Sequence, residues 1–569
     1  MKNLHKSIIV LCLLFIIYSC GKGFLEQKPQ AILSEEQLKG AKGVESALIG
    51  AYGIMNGNIS GTWGNYSSSP SQWLFGEVGS DNAHKGSNSL DQSPMNDIEL
   101  HRVDPSNDNL PTMWRVYYEG IGRCNLTLSL LKAVQEGSGE KLSDQRAKEV
   151  TGEARLLRGH YYFFLARVFR DIPYVDETMS TQEAAKVKND KDVYPMIEAD
   201  FKAAIDNLPA DKPLGDVGRV DKRAAQAYLG KLYLYQKKYA EALPLLQDVI
   251  NNKPALSTLA FDANFNIKTK NGPEGILVSQ SIINPDGSGD NGNVGDMLGG
   301  LYGGPINCCG FFQPTVDLVN SFKVDASGLP LLDGSYRNNP YVSDQGLTGA
   351  AKDNYKVNTA VAFDPRLDYT VGRRDVNYRD WGVLQGSWIR DQAFSGPFVG
   401  VKQMINVADM DGNVSPGTSN ITAQNVNIIR LSDVYLMAAE CAVETNALPL
   451  ALTMVNAVRS RAAGLAAVKA SSGSAAAQYN VKPYASFPNQ AYARNAVRFE
   501  RRLELALEGH RFFDLVRWGT AKSVLEPFME FEKKYVAASR TITYTDKNNY
   551  LPLPQEQIDR AQGALIQNQ

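Results

Sequence analysis

The stretch that decides the fold is residues 224–250, which read AAQAYLGKLYLYQKKYAEALPLLQDVI. Its apolar residues recur every three or four positions, which is the spacing of one face of an α-helix. The pattern stops at the polar pair Lys237-Lys238 and then starts again. We therefore predict two helices that pack against each other, with Gly230 at their closest approach and Ala240 and Ala242 packed opposite.

Helix pairs of the same kind recur along the chain. They are predicted at 148–169 with 193–208, and at 427–443 with 449–461. This is the tetratricopeptide style of helix-turn-helix, in which each unit buries its apolar face only against neighbouring units, so several units must stack. The expected fold is all-α dominated, and its tetratricopeptide-like helix pairs form a scaffold over about 41–55, 110–260 and 425–520.

Two long tracts, 56–109 and 261–422, break the helical pattern. They are rich in Gly, Asn, Asp and Tyr, and short β-like runs such as GILVS at 275–279 alternate with turn residues. Loops of this length are usually functional or disordered, and their aromatic content argues against disorder. We expect these loop-rich insertions to contain a few short β-hairpins and to face a ligand.

The first twenty residues have the composition of an export signal. Lys2 and Lys6 precede an apolar run that ends at Ser19-Cys20, as is typical of a secretory signal peptide. Residues 17–20, IYSC, fit the bacterial lipobox, in which the cysteine thiol is acylated. We expect residues 1–19 to be removed and lipidated Cys20 to anchor a single domain, 20–569, in a membrane, since two or three acyl chains hold a protein there almost irreversibly.

Charge and cysteine content exclude several classes of function. A net charge of −2 with 21% charged residues describes a folded chain without a polyelectrolyte tail, so no nucleic-acid partner is expected. The cysteines beyond Cys20 are too few for a disulfide scaffold, and no CxxC pair indicates a zinc site. The neighbours Cys308 and Cys309 either form a disulfide that presents a flat patch or stay reduced, and the sequence leaves both alternatives open.

Several separated blocks of sequence carry a resemblance to one family. The most specific block is residues 500–519, ERRLELALEGHRFFDLVRWG, which is followed by YLPLP at 550–554. Earlier blocks are GEAR at 152–155, DIP at 171–173 and RLSDVYLMAAE at 430–440. With these motifs the chain resembles, over nearly its whole length, the SusD/RagB family of outer-membrane nutrient-binding lipoproteins.

The resemblance implies both a SusD-like fold and a function. A member of this family sits at the cell surface, anchored by lipid to the outer membrane, as a lid on a SusC-like TonB-dependent transporter. It binds a nutrient oligomer, here interpreted as an oligosaccharide or polysaccharide, and delivers it without catalysis. A peptide-binding relative, a glycan-active enzyme and a helical-repeat scaffold for envelope assembly are the alternatives.

The carboxylates that most resemble a catalytic pair have a structural interpretation. Glu500, Glu504 and Glu508 stand four residues apart on one helical face, and buried like charges are costly unless they are paired. Because Arg501, Arg511 and Arg517 are close in sequence, we predict internal ion pairs that fix how the helices dock. No catalytic residue is assigned.

Two other motifs are weak. Gly287, Gly289 and Gly292 satisfy the spacing of the dinucleotide fingerprint, but no amphipathic helix follows them, so a nucleotide site is not expected. Residues 287–292 read GSGDNG and residues 409–413 read DMDGN. The Asp and Asn side chains of both stretches offer oxygen ligands of the kind that calcium takes. Neither keeps the spacing of an EF-hand, so no metal site is assigned.

Loop aromatics that alternate with polar residues indicate where a sugar would bind. An aromatic ring stacks on the C–H face of a sugar, while Asn, Asp and Arg bind its hydroxyl groups; the alternative for each ring is that it anchors its loop to the scaffold. Three clusters in the loop tracts have this mixture, and Asn65, Tyr302, Cys309, Phe312 and Tyr378 accompany the chosen side chains. The predicted ligand-binding residues are Trp63, Tyr66, Trp73, Asp81, Asn82, Asn88, Cys308, Phe311, Arg374, Trp381, Trp388 and Arg390.

Overall fold

A computed structural model describes residues 40–59, 65–416, 421–536 and 541–568 of the chain. The signal peptide expected at 1–19, the lipid-bearing Cys20 and the predicted ligand residue Trp63 all lie outside these ranges. Within the ranges that are described, no helix has both the length and the apolar character that crossing a bilayer requires.

Helices form most of the described chain before residue 252 and after residue 425, as the apolar spacing predicts. The N-terminal part contains α1 Ala41–Gly53, α2 Pro94–Glu99, α3 Asn109–Glu136, α4 Asp144–Phe169, α5 Thr181–Ala184, α6 Tyr194–Asn207, α7 Lys222–Tyr235 and α8 Tyr239–Asn251. The middle contains only short helices, α9 Val316–Ser321, α10 Gly349–Asp353, α11 Leu367–Thr370 and α12 Gln392–Ser395. The C-terminal part contains α13 Leu431–Glu444, α14 Leu448–Ala463, α15 Gln490–Leu505, α16 Arg511–Arg517, α17 Ala521–Glu532 and α18 Gln555–Arg560.

The long helices form one continuous stack. α1 packs on α3, α3 on α4, α4 on α6, α6 on α7, and α7 on α8. The stack then continues from α8 directly to α13, which also contacts α14 and α15. The prediction of stacked helix pairs is therefore confirmed, and residues 252–425 form an insertion that leaves the stack and returns to it.

Local sequence signals explain the pairing of α7 with α8. The Asp221 side chain caps α7 by accepting the backbone N–H of Ala224 at 3.0 Å. A Cβ on Gly230 would lie 2.7 Å from a methyl group of Leu246, so glycine lets α7 and α8 approach closely, as predicted. Ala242 is buried but Ala240 is exposed, which corrects that half of the prediction, because residues two apart on a helix point in nearly opposite directions.

The strands are short and the described chain pairs them two by two. They are β1 Ala83–Gly86, β2 Gly275–Ser279, β3 Phe311–Pro314, β4 Ala362–Phe363, β5 Val371–Gly372, β6 Val399–Gly400, β7 Val426–Arg430 and β8 Gln478–Tyr479. The antiparallel pair β2–β7 sets Gly275 opposite Arg430 and Ser279 opposite Val426. It therefore ties the two ends of the insertion together at its base. Tight hairpin-like turns appear as single bridges, such as that between Val324 and Pro330.

The glutamates near the end of α15 form buried ion pairs, as predicted. Oxygens of Glu504 lie 2.7 Å from Arg430 and 3.0 Å from Arg366. Burial alone would raise the pKa of Glu504, but Arg461, Arg430 and Arg366 hold that pKa well below its usual range. Since Arg366 belongs to the insertion, these pairs fasten the insertion to the stack. Glu500 pairs likewise with Arg366 and Arg459, and Glu508 with Arg430 and Lys402.

The arginines that were expected to neutralise these glutamates pair elsewhere, which corrects the prediction. Arg501 lies 2.8 Å from Asp433 and 3.0 Å from Asp514. Arg511 pairs with Asp81 and Arg517 with Glu440. Adjacent residues on a helix do not share a face, so Arg501 projects away from the neighbouring glutamate and meets a different carboxylate.

Candidate functional site

Trp73, from the first predicted cluster, is turned into the protein. It begins a short π-helix, Trp73–Val78, and only 1% of its surface is exposed. Its Nε1 donates a hydrogen bond to the backbone oxygen of Gly295 at 3.0 Å, and its ring centroid lies 5.6 Å from that of Phe312. A ligand has no access to this ring, so the prediction that Trp73 binds ligand is wrong.

Asp81 and Asn82 are also buried. The Nε of Arg511 donates to Asp81 at 2.7 Å, and the Nε of Arg502 donates to Asn82 at 3.0 Å. Burial alone would raise the pKa of Asp81, but Arg502 and Arg511 hold it well below its usual range. These two side chains fix their loop to α15 and α16, which corrects their assignment as ligand contacts.

Tyr66 and Asn88, the remaining described residues of the first cluster that were predicted to bind ligand, stay near the surface. Tyr66 is half-buried and packs beside an apolar cluster of the insertion. The Oδ1 of Asn88 accepts the backbone N–H groups of Leu90 and Asp91, each at 3.0 Å. Asn88 therefore shapes the turn that presents Asp91, and the roles of Tyr66 and Asn88 in ligand binding stay predictions.

The second and third predicted clusters meet in one surface. The loop between residues 300 and 310 closes on itself where the backbone N–H of Cys308 donates to the oxygen of Leu301 at 2.8 Å. The backbone N–H of Tyr302, in the same loop, donates to the oxygen of Trp388 at 3.0 Å. This contact joins two segments that are more than eighty residues apart in the sequence.

The side chains of Tyr378, Trp381 and Trp388 pack closely with Gly304 in that surface. The centroids of Trp381 and Trp388 lie 5.7 Å apart in an edge-to-face arrangement, and Tyr378 packs against both. Gly304 has a φ of +104°, and a Cβ there would lie 3.1 Å from Trp381 and 3.3 Å from Trp388. Only glycine fits this position without strain. Trp381 and Trp388 are half-buried, so each has some surface left for a ligand.

Tyr302 is the most exposed aromatic residue of the described chain. Its exposed fraction is 47%, whereas the other described aromatic side chains are buried or half-buried. The guanidinium of Arg390 lies 5.4 Å from the centre of the Tyr302 ring. The same guanidinium is 2.5 Å from Asp91 and donates to Ser87 at 2.7 Å, so a fixed charged group holds one face of an accessible ring.

The neighbouring cysteines complete the rim of this surface. Cys308 and Cys309 are joined in a disulfide and both are half-buried. Of the two alternatives that the sequence left open, the structure therefore has the oxidised one. We call the surface formed by Tyr302, Cys308-Cys309, Trp381, Trp388 and Arg390 the aromatic face.

A cleft of about 630 Å³ adjoins the aromatic face. Three chain segments line it, at 283–287, 305–307 and 410–416. The middle segment belongs to the same loop as Tyr302 and Cys308, and Ile306, Met410 and Val414 of the cleft pack in one apolar cluster with Cys308 and Trp381. Its size lies within the range of about 300–1,000 Å³ in which small-molecule sites are found.

Two further predicted contacts are already engaged within the protein. Phe311 is buried in β3 under the ammonium group of Lys85, 5.2 Å from its ring centre, so its assignment as a ligand contact is wrong. Arg374 is half-buried and its Nε donates to Asp344 at 3.1 Å. Arg374 stays a predicted ligand contact, at the edge of the aromatic face.

Comparison with known proteins identifies the family. The model of the group described as the SusD family matches residues 273–569, which is more than half of the chain. The chain belongs to the SusD family. A second model, described as "Starch-binding associating with outer membrane", matches residues 24–234 of this SusD-family chain.

Individual relatives are similar over nearly their whole length. SusD-like protein P25 of Formosa agariphila is 24% identical over 92% of each chain. A solved "Laminarin binding SusD-like protein" is 25% identical, with a TM-score of 0.66 over 93% of this chain and 99% of that one. Surface glycan-binding protein A from Bacteroides thetaiotaomicron, solved in complex with laminarihexaose, is 19% identical, with a TM-score of 0.64 over 92% and 98%. The last likeness shows the fold.

The two weak motifs of this SusD-family chain have packing roles in the structure. Gly289 and Gly292 lie against Ile421, where a Cβ would come within 2.7 and 2.6 Å of its side chain. Asp409 pairs with Lys268 at 2.6 Å. Across the described ranges, no group of three or more His, Cys, Asp and Glu side chains is placed to share a metal ion.

The cleft was not predicted. Residues 287–292 and 409–413 stood out in the sequence only as motifs for nucleotide or calcium, and Gly287, Met410, Asp411 and Gly412 from these stretches line the cleft. The signal that would have found them is their density of Gly, Pro, Asn and Asp, which predicts exposed turns. Nothing in the sequence shows that these turns lie beside Tyr302.

Proposed function

We propose that the chain is a noncatalytic binding protein that captures a glycan on the aromatic face and passes it to a SusC-like TonB-dependent transporter. The single observation that carries the proposal is the exposure of Tyr302 beside an open cleft. Exposed rings with one face held by protein are suited to stacking on the apolar face of a sugar. The half-buried Trp381 and Trp388 extend the same surface.

The polar groups around Tyr302 fit a ligand with many hydroxyl groups. Arg390 and Asp91 offer donors and acceptors beside the ring. Asn284, Asn307 and Ser415 line the cleft, together with apolar residues. A mixture of ring faces and neutral amide or hydroxyl groups suits an oligosaccharide better than a charged ligand. The relative named as laminarin-binding, which is 25% identical to this chain, supports a glycan over a peptide.

The expected affinity is modest. Stacking that buries about 100 Å² of apolar surface contributes about 2.5 kcal/mol, and the loss of rotational and translational freedom on binding offsets much of this. We expect a Kd between about 1 μM and 1 mM. Weak capture suits delivery, because the ligand must leave the protein again.

The carboxylates that resemble a catalytic pair are committed to ion pairs. Glu504 contacts Arg430 and Arg366 and is fully buried away from the aromatic face. Glu500 and Glu508 are engaged in the same way. This arrangement supports a binding protein over a glycan-active enzyme.

The proposal also includes a lipid anchor on Cys20 and a TonB-dependent transporter as the partner. The lipobox at residues 17–20 predicts that acylated Cys20 holds the protein to the outer membrane, at the cell surface. The family description "Starch-binding associating with outer membrane" supports this location. Replacing Cys20 with Ala would then release the protein from the membrane fraction and abolish its labelling with a fatty-acid analogue. Copurification of the wild type with a TonB-dependent transporter tests the partner.

Calorimetric titration of the soluble fragment 21–569 tests the ligand. Laminarihexaose, other oligosaccharides and peptides serve as ligands. We expect an oligosaccharide to bind and Tyr302→Ala to weaken it about tenfold, the equivalent of about 1.4 kcal/mol. Leu126→Ala is the control, because Leu126 is 44% exposed on α3, in the helical stack. The proposal would be contradicted if only peptides bound, if the protein cleaved the oligosaccharides, or if Tyr302→Ala and Leu126→Ala bound the oligosaccharide with equal affinity.

A further inference from the structure

The walls of the cleft beside the aromatic face carry no positively charged side chain. All three segments that line the cleft belong to two long runs of sequence, residues 271–322 and 403–429. Neither run contains a single Lys or Arg. A ligand in the cleft therefore finds no cation in any of its walls.

Two carboxylates lie at the cleft instead. Asp411 lines the cleft and is exposed, and Asp286 is exposed between two residues of the cleft wall. Asp409, only two residues from Asp411, pairs with Lys268 at 2.6 Å, whereas Asp411 and Asp286 form no ion pair within the described ranges. The cleft thus carries negative charge that no side chain of the described protein neutralises by direct contact.

The local structure keeps one of these carboxylates ionised. The backbone N–H of Ser288 donates to the Oδ1 of Asp286 at 2.9 Å. Hydrogen bonds from the backbone and the hydroxyl group of Ser288 hold the pKa of Asp286 below its usual range. Asp286 therefore carries a full negative charge at neutral pH, at an exposed turn of the cleft wall.

The arginines beside the aromatic face are already engaged. Arg390 pairs with Asp91 at 2.5 Å, and Arg374 pairs with Asp344 at 3.1 Å. Arg379 donates to backbone oxygens of two neighbouring segments, at 3.1 and 3.0 Å. An anionic ligand would have to compete with these partners to gain contact with a cation.

This distribution of charge acts differently on neutral and on anionic sugars. The hydroxyl groups of a neutral sugar can donate to the free carboxylates, and hydrogen bonds to a charged acceptor are stronger than neutral ones. A sugar with a carboxylate or sulfate group meets repulsion from the same carboxylates. Like charges that face each other across an interface suppress binding of the wrong partner.

We infer that this site selects neutral glycans and rejects those with carboxylate or sulfate groups, and that Asp286 and Asp411 determine this specificity. The inference rests on the proposed function, because it names the substrate class of the same site. It adds a property that the exposed ring of Tyr302 does not supply, since an aromatic ring can stack on the C–H face of either kind of sugar.

Calorimetric titration of fragment 21–569 with matched sugars tests the inference. Laminarihexaose, mannohexaose and galactohexaose are each compared with the derivative in which the C6 hydroxyl groups are oxidised to carboxylates. The measured quantity is the Kd of the anionic form divided by the Kd of the neutral form. For the sugar that binds best we expect a ratio of at least about ten at about 0.02 M NaCl. At about 0.5 M NaCl the ratio should fall to at most about three, because salt screens exposed charges.

Replacing the two carboxylates tests the residues. Asp286→Asn combined with Asp411→Asn should lower the ratio at low salt at least about threefold. The matched control is Asp190→Asn combined with Asp206→Asn, which changes the net charge equally at two exposed positions outside the insertion. The control should leave the ratio close to that of the wild type.

Releasing a cation tests the same inference from the opposite side. Asp91→Asn removes the carboxylate that pairs with Arg390. The guanidinium of Arg390 would then be free beside Tyr302, and the ratio should again fall at least about threefold.

The outcomes separate the inference from the proposed function. If the wild type bound an anionic form as tightly as its neutral form, or if the control lowered the ratio as much as the cleft variant, the inference would be overturned and the proposed function would stand. If no hexasaccharide of either kind bound, the proposed function would be overturned and the inference with it.

Discussion

The loop regions 65–109 and 300–390 have similar compositions but opposite structural roles. In the first, Trp73 and Asp81 are buried and paired within the protein. In the second, Tyr302 is exposed and Arg390 supports its ring from one side. Both regions combine Trp or Tyr with Asn, Asp and Gly, so the same composition builds an anchor in one place and a binding surface in the other.

The difference arises from distant partners. The arginines that bury Asp81 come from α15 and α16, more than four hundred residues further along the chain. Among the described residues Tyr302 has no such partner in the helical stack, and its loop rests on Trp381 and Trp388 in the insertion. The first region is thus fastened to the C-terminal helices, which the segment Trp73–Val78 also contacts at α16, whereas the loop of Tyr302 rests on the insertion.

The largest expected effect comes from removing Asp81. Asp81→Ala would leave Arg502 and Arg511 buried without their shared carboxylate. We expect the free energy of unfolding to fall by about 3–5 kcal/mol, measured by urea denaturation. Asp104→Ala, at an exposed position of the same region, is the control and should change stability little. Equal effects of the two variants would show that the first region is not an anchor.

Replacing one tryptophan in each region, Trp73 or Trp388, tests the same difference on aromatic residues. Trp73→Ala empties a fully packed site and should cost about 4 kcal/mol of stability. Trp388→Ala removes a half-buried ring and should cost about 2 kcal/mol, but it should also weaken oligosaccharide binding. Thermal unfolding and titration of both variants check this. If a folded Trp73→Ala protein bound the oligosaccharide more weakly while Trp388→Ala bound it as tightly as the wild type, the assignment of the two regions would be reversed.

Much of the fold could be predicted from the sequence, because helical periodicity is a local signal. The turn after Tyr235 and the close approach at Gly230 both follow from residues within one helix pair. The partners of Glu504 could not be predicted in the same way. Arg366 lies in the insertion and Arg430 at the end of β7, and only the folded chain brings them together.

The candidate site could be predicted only in part, for the same reason. Trp381, Trp388 and Arg390 belong to one predicted cluster, and they do lie together on one surface, while their role in ligand binding stays a prediction. It could not separate these residues from Trp73, since burial depends on what packs over a loop. The cleft formed by 283–287, 305–307 and 410–416 has no local signal that links its three walls.

A buried carboxyl group in the first region should make stability depend on pH. Burial raises the pKa of Glu77 to about 7, while hydrogen bonds from Asn82, His510 and Gly509 act in the opposite direction. An unfolded glutamate titrates near about 4.3, so Glu77 binds its proton more tightly in the folded state. The stabilisation that the folded state gains from the tighter proton binding of Glu77 is fully present below about pH 4.3 and is lost as pH rises through about 7.

Comparison with Glu77→Gln isolates this contribution. The difference in unfolding free energy between the wild type and Glu77→Gln should shift by about 3 kcal/mol against the wild type between pH 4 and pH 8. Urea denaturation across that range measures it. A constant difference between the two proteins would show that Glu77 titrates normally.

The smallest effect on stability is expected at Tyr302. Tyr302→Ala should change the free energy of unfolding by less than about 0.5 kcal/mol, because the ring is exposed. Tyr302→Phe should be equally stable and should retain most of the stacking with a sugar. Denaturation and titration of the two variants check both points. A large loss of stability in Tyr302→Ala would make this residue an anchor like Trp73.

The most direct measurement of the central claim is a crystal structure of fragment 21–569 with a bound oligosaccharide. We expect sugar density stacked on Tyr302 and extending toward Trp388 and the cleft. Density only at the loop that contains Trp73 and Asp81, or elsewhere on the helical stack, would contradict it.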